Sequence, residues 1–305
     1  MQRVFKNGLI LFMLSMAIWA LYLPAVSQAA DRYEEVVGYF AMDSEAKQVL
    51  RQRLAEKNQG CYEPMSIYRY GSENMVCAAN GRDDKNLLAN DVIGSVECGR
   101  EEAARSGSTV QIDKIAQAGE NHAYAAKAVR VRQILQGLSE MAGADSSSWS
   151  ILLIPGTKIN AYALPGDIFV ISTEAMSRLR DDELEVLLAH ELGHQLLGHP
   201  VKAMLYSSLA KGKLRQAYKC IKKNNILQAS DCYIEAMELS VVSKRQERQA
   251  DVWAADLLRQ SGRNMQVAVD LWQKLEKLYG KVPNDSNHLG YRERQKIYAP
   301  SHAGK

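Results

Sequence analysis

Apolar and polar positions divide the chain into two regions. Residues 31–115 are polar and rich in turns, with one helix predicted near Ser44 to Lys57. Gly60, Gly71, Gly81, Gly94, Gly99 and Gly107 punctuate the remainder. From about Ala116 the pattern sharpens. Tyr124, Ala128, Val131, Leu135 and Leu138 recur at four- and three-residue steps, which predicts one face of a long helix. Trp149 to Ile154 is a short apolar run closed by Pro155-Gly156, and Ile168 to Ile171 is a second. Both read as strands, with Lys158 to Leu164 as a third extended piece between them. After Thr173 the pattern is helical almost to the end, and no internal repeat is visible.

The first thirty residues follow neither pattern. Arg3 and Lys6 make a positive start, and an apolar run from Leu9 to Leu23 is interrupted only by Ser15. Pro24 ends any helix, and Ser27 and Ala29 place small residues three and one positions before a cut after Ala29. This is the layout of a secretory signal peptide, so residues 1–29 are expected to be an address that is removed. No stable membrane span is expected after that removal. The organisation read from the sequence is therefore 1–29 signal, 30–115 an N-terminal region of unassigned role, and 116–305 the functional domain.

The 305 residues are 47% hydrophobic and 24% charged, which excludes a disordered chain and a polytopic membrane protein. Lys and Arg number 38 against 35 Asp and Glu, and removing Arg3 and Lys6 leaves 36 against 35. A body so close to neutral carries no electrostatic footprint for nucleic acid. Export to an oxidising compartment, the periplasm for a bacterial host, gives the five cysteines a meaning. Cys220 and Cys232 lie twelve positions apart and far from the other three, so they are expected to pair with each other. A second bond would join two of Cys61, Cys77 and Cys98.

The chemistry is concentrated in His190-Glu191-Leu192-Gly193-His194. Asp181 is placed to cap a helix running through Leu197. Leu184, Leu187, Leu188, Leu192 and Leu196 make that helix apolar around much of its girth, so it is expected to be buried. Histidines four apart share one helix face, and their imidazoles can converge on a tetrahedral metal ion. Glu191 follows the first histidine by about 100° around the axis. From there its carboxylate can take a proton from water that the metal has acidified. This is the zincin H-E-x-x-H arrangement.

A third ligand is needed. The metzincin pattern requires a glycine and a histidine where this chain has Leu197 and Pro200. His199 falls one residue short and out of phase with His190 and His194, so it reads as a surface or helix-end histidine. The remaining candidates are Glu235, Glu238 and Glu247. Glu247 has Asp251 one turn further on, and such a carboxylate can accept the free N–H of a metal-bound histidine. Glu247 is therefore taken as the ligand and Asp251 as its supporting partner. Glu235 and Glu238 read as a solvated face.

The last 175 residues or so resemble the gluzincin family that includes the bacterial HtpX proteases, the CAAX prenyl endopeptidases, the mitochondrial Oma proteases and periplasmic BepA-type peptidases. The resemblance is carried by Asn160-Ala161-Tyr162-Ala163-Leu164-Pro165-Gly166, Ile168-Phe169-Val170, Asp182-Glu183-Leu184, the His190 motif, Glu247 to Asp251, and His288 through Arg294. It implies an α+β zincin fold, mostly helical, with a small sheet whose edge strand at Asn160, Ala161, Tyr162 and Ala163 pairs with substrate backbone. It implies one Zn2+ per chain and an endopeptidase activity with Glu191 as general base. His288 and Arg294 would lie near the cleft, Arg294 steadying an oxyanion or orienting the carboxylates, and His288 doing likewise or capping the metal at rest. The implied partners are polypeptides, misfolded envelope proteins among them. A rival expectation is an assembly factor or chaperone whose peptidase site is largely latent. The lysine-rich stretch from Val201 to Val242 reads as helices, either a plain packed pair or a lid over the cleft.

Overall fold

Two apolar runs, both rich in β-branched residues, make the centre of the sheet. β3 (Ser150–Ile154) and β5 (Ile168–Ser172) are buried along their whole length and pair in parallel. A strand covered on both faces needs no polar alternation, which is why these segments read as continuous apolar runs. The computed structural model describes residues 32–59, 61–64, 76–77, 120–282 and 287–299. The expected signal segment and Cys98 lie outside the described residues. Among the described residues the sheet has five strands. β1 (Cys61–Pro64) and β2 (Val76–Cys77) extend it on the β3 side. β4 (Ala161–Leu164) pairs antiparallel with β5 and forms the opposite edge. The third extended piece is thus shorter than the expected Lys158 to Leu164.

Helices cover both faces. Ile151, Leu153, Phe169 and Ile171 point into one core, formed with α3 (Glu120–Ala142), α5 (Asp181–Leu196), α9 (Lys244–Gln260) and α10 (Met265–Tyr279). Of the predicted stripe of α3, Ala128, Val131, Leu135 and Leu138 are fully buried there, and the side chain of Tyr124 lies outside the described residues. Leu152, Ile154, Ile168 and Val170 point into a second core, formed with α1 (residues 32–42), α2 (Ser44–Asn58), α7 (Ser208–Lys222) and α8 (Ile226–Glu238). The rings of Phe40 and Tyr233 stack at 4.3 Å in its interior. The described elements of the N-terminal region therefore share the sheet and a core with the rest of the chain. Two short helices, α4 (Thr173–Arg178) and α6 (His199–Tyr206), flank α5 in the sequence, and α11 (Tyr291–Tyr298) closes against α9 and α10. No described helix is long and apolar enough to cross a membrane.

The β4–β5 turn ties the sheet to α5. Gly166 and Asp167 both take positive φ, 87° and 62°. The Asp167 carboxylate accepts hydrogen bonds from Gln195 Nε2 of α5 and from Ser148 Oγ, each at 2.9 Å. This fixes the edge strand over the helix that carries the histidine motif.

Two expectations are corrected. Asp181 does not cap α5. It lies inside the first turn, and the Glu183 carboxylate reaches back to accept the Arg180 N–H at 2.9 Å, with Lys274 Nζ 3.0 Å away as its counter-charge. Cys220 and Cys232 do not pair with each other. Cys220 is a free buried thiol, whereas Cys232 is disulfide-bonded, which by elimination leaves Cys61, Cys77 or Cys98 as its partner. The reason lies in how α8 is held. It packs on α7 along one side and on α2 along another, and Arg53 and Lys57 of α2 reach Asp231 and Glu238. Distance in sequence was a poor guide because α2 brings the N-terminal region onto α8.

Candidate metal centre

The motif helix is buried from Val186 to His194 without a break. What brings it to a distant carboxylate is Gly193. A Cβ there would lie 3.0 Å from the Ala250 carbonyl and 3.1 Å from the Trp253 ring. The absence of a side chain lets α5 and α9 approach backbone to backbone, and Ala250 and Ala254 keep the opposing surface small. Glu247 then sits one turn before the crossing and faces the two histidines.

His190, His194 and Glu247 each offer a ligand atom, and the three atoms lie within 4.8 Å of one another. The two Nε2 atoms are 3.1 Å apart, and each is 3.6 Å from a Glu247 oxygen. Tetrahedral zinc with bonds of about 2.0–2.1 Å separates its ligands by about 3.3 Å. The donor set and spacing therefore fit that ion. The second ring nitrogens fit it too. His190 Nδ1 is 2.9 Å from Asp251 Oδ1, and His194 Nδ1 is 3.1 Å from His199 Nδ1. With protons on both Nδ1 atoms, both Nε2 lone pairs turn inward.

Electrostatics follow from burial and pairing. Burial opposes the charge on Glu247, but hydrogen bonds from His190 and His288 hold it well below the usual carboxylate range. Burial likewise works against protonated His190, and the Asp251 carboxylate outweighs it, raising the group to about 9. His194 is pushed down to about 2 by burial and by its charged neighbour His190. Arg294, 5% exposed, bridges Glu247 and Asp251, the latter at 3.2 Å, and lies 4.6 Å over the Trp272 ring. Tyr298 Oη donates to the same Asp251 oxygen at 3.3 Å.

Glu191 projects beside the ligands, and burial raises its carboxyl to about 7. One oxygen accepts the N–H of Ala163 at 2.9 Å. That bond shows which way β4 faces. The Asn160 carbonyl is turned toward Ser172 at the end of β5, so the polar groups of Ala161 and Ala163 alternate outward into the cleft. The cleft holds about 640 Å³, between Asn160 to Ala163 on one side and Ser240 to Val242 on the other.

Every residue expected at the site is brought to it. His190, Glu191, His194, Glu247, Asp251 and Arg294 form one buried cluster, Asn160 to Ala163 line the cleft, and His288 stands at its mouth, Nδ1 3.3 Å from Glu247 Oε1. Arg294 is engaged with the two carboxylates, in line with the orienting role. Glu235 and Glu238 are away from the site, paired with Lys213 and Lys57. Of the two readings of His199, helix-end and surface, the first holds, since His199 opens α6, and the second is corrected: it is 2% exposed and touches His194. Its helical phase was irrelevant because α5 stops at Leu196. Gly198, at φ 65°, turns the chain and starts α6 at His199. The Gly198-His199-Pro200 stop signal was readable in the sequence. Trp272 and Tyr298 had no comparable signal. The α7–α8 pair packs on the second core, and of the stretch from Val201 to Val242 the residues that line the cleft are Ser240 to Val242, in the loop after α8.

Two turn-spaced histidines, a glutamate from a later helix and an unligated glutamate between the histidines define a zincin-type site on an α+β fold. The chain belongs to peptidase family M48, whose family model matches residues 125–302. That family is one of zinc-dependent metalloproteases. Among curated relatives, the metalloprotease LoiP of Escherichia coli is 30% identical over 123 residues, covering 39% of this chain and 48% of LoiP. The metalloprotease YcaL of the same organism is 26% identical over 134 residues, 40% of this chain and 49% of YcaL. The mitochondrial metalloendopeptidase OMA1 of Arabidopsis thaliana is 24% identical over 155 residues, 50% of this chain and 31% of OMA1. The matches thus span about half the length of these relatives or less.

Proposed function

We propose that the chain is a zinc metalloendopeptidase with His190, His194 and Glu247 as the ligands of one ion and Glu191 as general base. The observation that carries this is the convergence of three ligand atoms within 4.8 Å, with Glu191 poised beside them. Bound zinc would polarise a scissile carbonyl and acidify water. Glu191 would take a proton from the attacking water on its carboxylate and return it to the leaving amine. Asp251 holds His190 in the required tautomer, and Arg294 holds both carboxylates in place. An extended substrate segment adds to the edge of β4, pairing with the outward polar groups of Ala161 and Ala163. The Ala163 N–H exchanges its Glu191 bond for a substrate carbonyl.

We further propose that the protein works in the periplasm on misfolded or misassembled envelope polypeptides. The N-terminal layout from Arg3 to Ala29 and the disulfide at Cys232 support an oxidising destination.

The test uses the purified chain on casein. Internal cleavage is expected, lost with a chelator and regained with zinc. Glu191→Gln should keep the zinc and lower kcat by about 10²–10⁴-fold. Cleavage indifferent to the chelator, or undiminished in Glu191→Gln, would sink the proposal.

A further inference from the structure

The support given to the two histidines is unequal. His190 leans on a carboxylate, Asp251, while His194 leans on another imidazole. We propose that His199 is a positioning residue, accepting the Nδ1–H of His194 on its own Nδ1 and so aiming the Nε2 lone pair of His194 at the ion. This deepens the reading of His190, His194 and Glu247 as zinc ligands and rests on it.

The geometry leaves one arrangement. Two Nδ1 atoms 3.1 Å apart share a single proton, so one ring donates and the other accepts. A neutral imidazole that gives its Nε2 lone pair to a metal carries its proton on Nδ1. His194 is therefore the donor and His199 the acceptor. The proton of His199 then resides on Nε2, and the ring has the Gln249 side chain as a further hydrogen-bond partner. The ring centroids are 5.0 Å apart, with the two planes at 73° to each other. His199 is built for the task by its place in the chain. Gly198 turns the backbone, Pro200 sets the first turn of α6, and the ring is folded back into the interior at 2% exposure. Gln249 and Asp251 both belong to α9, the helix that carries Glu247. One helix thus supplies the third ligand and both anchors, one direct and one relayed through His199.

A neutral acceptor differs from a carboxylate. It orients His194 without adding negative charge to a site that already holds the carboxyl groups of Glu191, Glu247 and Asp251. Loss of the acceptor should cost orientation, and an uncharged group that accepts at the same place should restore it.

Zinc affinity is measured by competition with a chelating indicator in the full chain, for wild type, His199→Leu and His199→Asn. His199→Leu fills the space without an acceptor and should bind zinc about 10–100-fold more weakly. The Oδ1 of His199→Asn falls near the position of Nδ1 and should recover most of that loss. Wild-type affinity in a folded His199→Leu would overturn the proposal while leaving the metal assignment standing. Failure of the wild type to take up zinc would overturn both. Should His199→Leu not fold, long-range 1H–15N correlation spectra of the zinc-loaded wild type decide the matter. The expected pattern is Nδ1–H on His194 and Nε2–H on His199, and Nδ1–H on His199 refutes the proposal.

Discussion

Both faces of the sheet carry an apolar core, but they differ in what else they bury. On the α5 side the interior contains His190, Glu191, His194, His199, Glu247, Asp251 and Arg294, all less than 9% exposed. Apart from Glu183 at the start of α5, these are all the buried acidic, basic and histidine side chains among the described residues with resolved burial. On the α8 side the interior is Phe40, Leu50, Leu214, Tyr233 and their neighbours, and the charges stay at the rim, in pairs such as Arg53 with Asp231. Apolar area removed from water stabilises both faces. The α5 face also holds groups that each oppose burial and are tolerated only because they compensate one another. A metal ion belongs on the second kind of face, where ligands are already dehydrated and aimed. Changes on the two faces should therefore separate metal binding from stability.

The largest separation is expected from Glu247→Ala. It removes a ligand and leaves Arg294 buried with Asp251 as its remaining charged partner. Zinc affinity should fall by more than the ~10–100-fold that loss of an outer partner costs, and the metal-free protein should lose about 3–5 kcal/mol. Competition binding and urea unfolding in a chelator read the two effects. Intact zinc affinity would remove Glu247 from the site.

Phe40→Ala is the converse. The ring is fully buried against Tyr233, and its removal should lower stability by about 3–5 kcal/mol. At temperatures where the variant is folded, zinc affinity and kcat should match the wild type. A parallel fall in zinc affinity would mean that the two faces are coupled through the sheet.

Legibility in the sequence followed the same division. Periodicity identified the stripe of α3, which buries one regular face, and continuous apolar runs identified β3 and β5, which are covered on both faces. The motif and Glu247 were readable because ligand chemistry restricts residue type and spacing. What could not be read depended on which distant element lies alongside. The partner of Cys232 belongs to the N-terminal region, whose α2 packs on α8, and nothing in the sequence near Cys232 records that packing. His199 was misread because a helix phase was extended past Gly198, where the helix no longer exists. The capping of α5 went to Glu183 rather than Asp181 because Lys274 from α10 stabilises that carboxylate.

A smaller effect sharpens the electrostatic side of the comparison. Asp251, outweighing the burial penalty, raises His190 to about 9, whereas burial keeps His194 down at about 2. Stripped of metal, the His190–His194 pair carries one proton more than two neutral rings at neutral pH, and zinc has to displace it. Apparent zinc affinity should therefore rise about tenfold per pH unit from pH 7 to about 9 and then level off, since binding releases a proton only below that value. Calorimetry in buffers of different ionisation enthalpy counts the proton. Affinity independent of pH over that window would show that His190 is already neutral.

The smallest effect belongs to the rim of the opposite face. Arg53 of α2 meets Asp231 of α8 through two hydrogen bonds of 2.8 and 3.0 Å, a well-formed pair by geometry. Both side chains are about a third exposed, so water screens the attraction, and ordering the long arginine offsets part of it. Arg53→Ala should cost roughly 0.2–1 kcal/mol and leave zinc affinity unchanged. The neighbouring Lys57–Glu238 pair, more exposed still, should contribute less. A double-mutant cycle of Arg53→Ala and Asp231→Ala isolates the pair from the packing of the arginine stem. A coupling energy well above that range would mean that α2 is clamped to α8 by charge, and that the contrast between the two faces is one of degree.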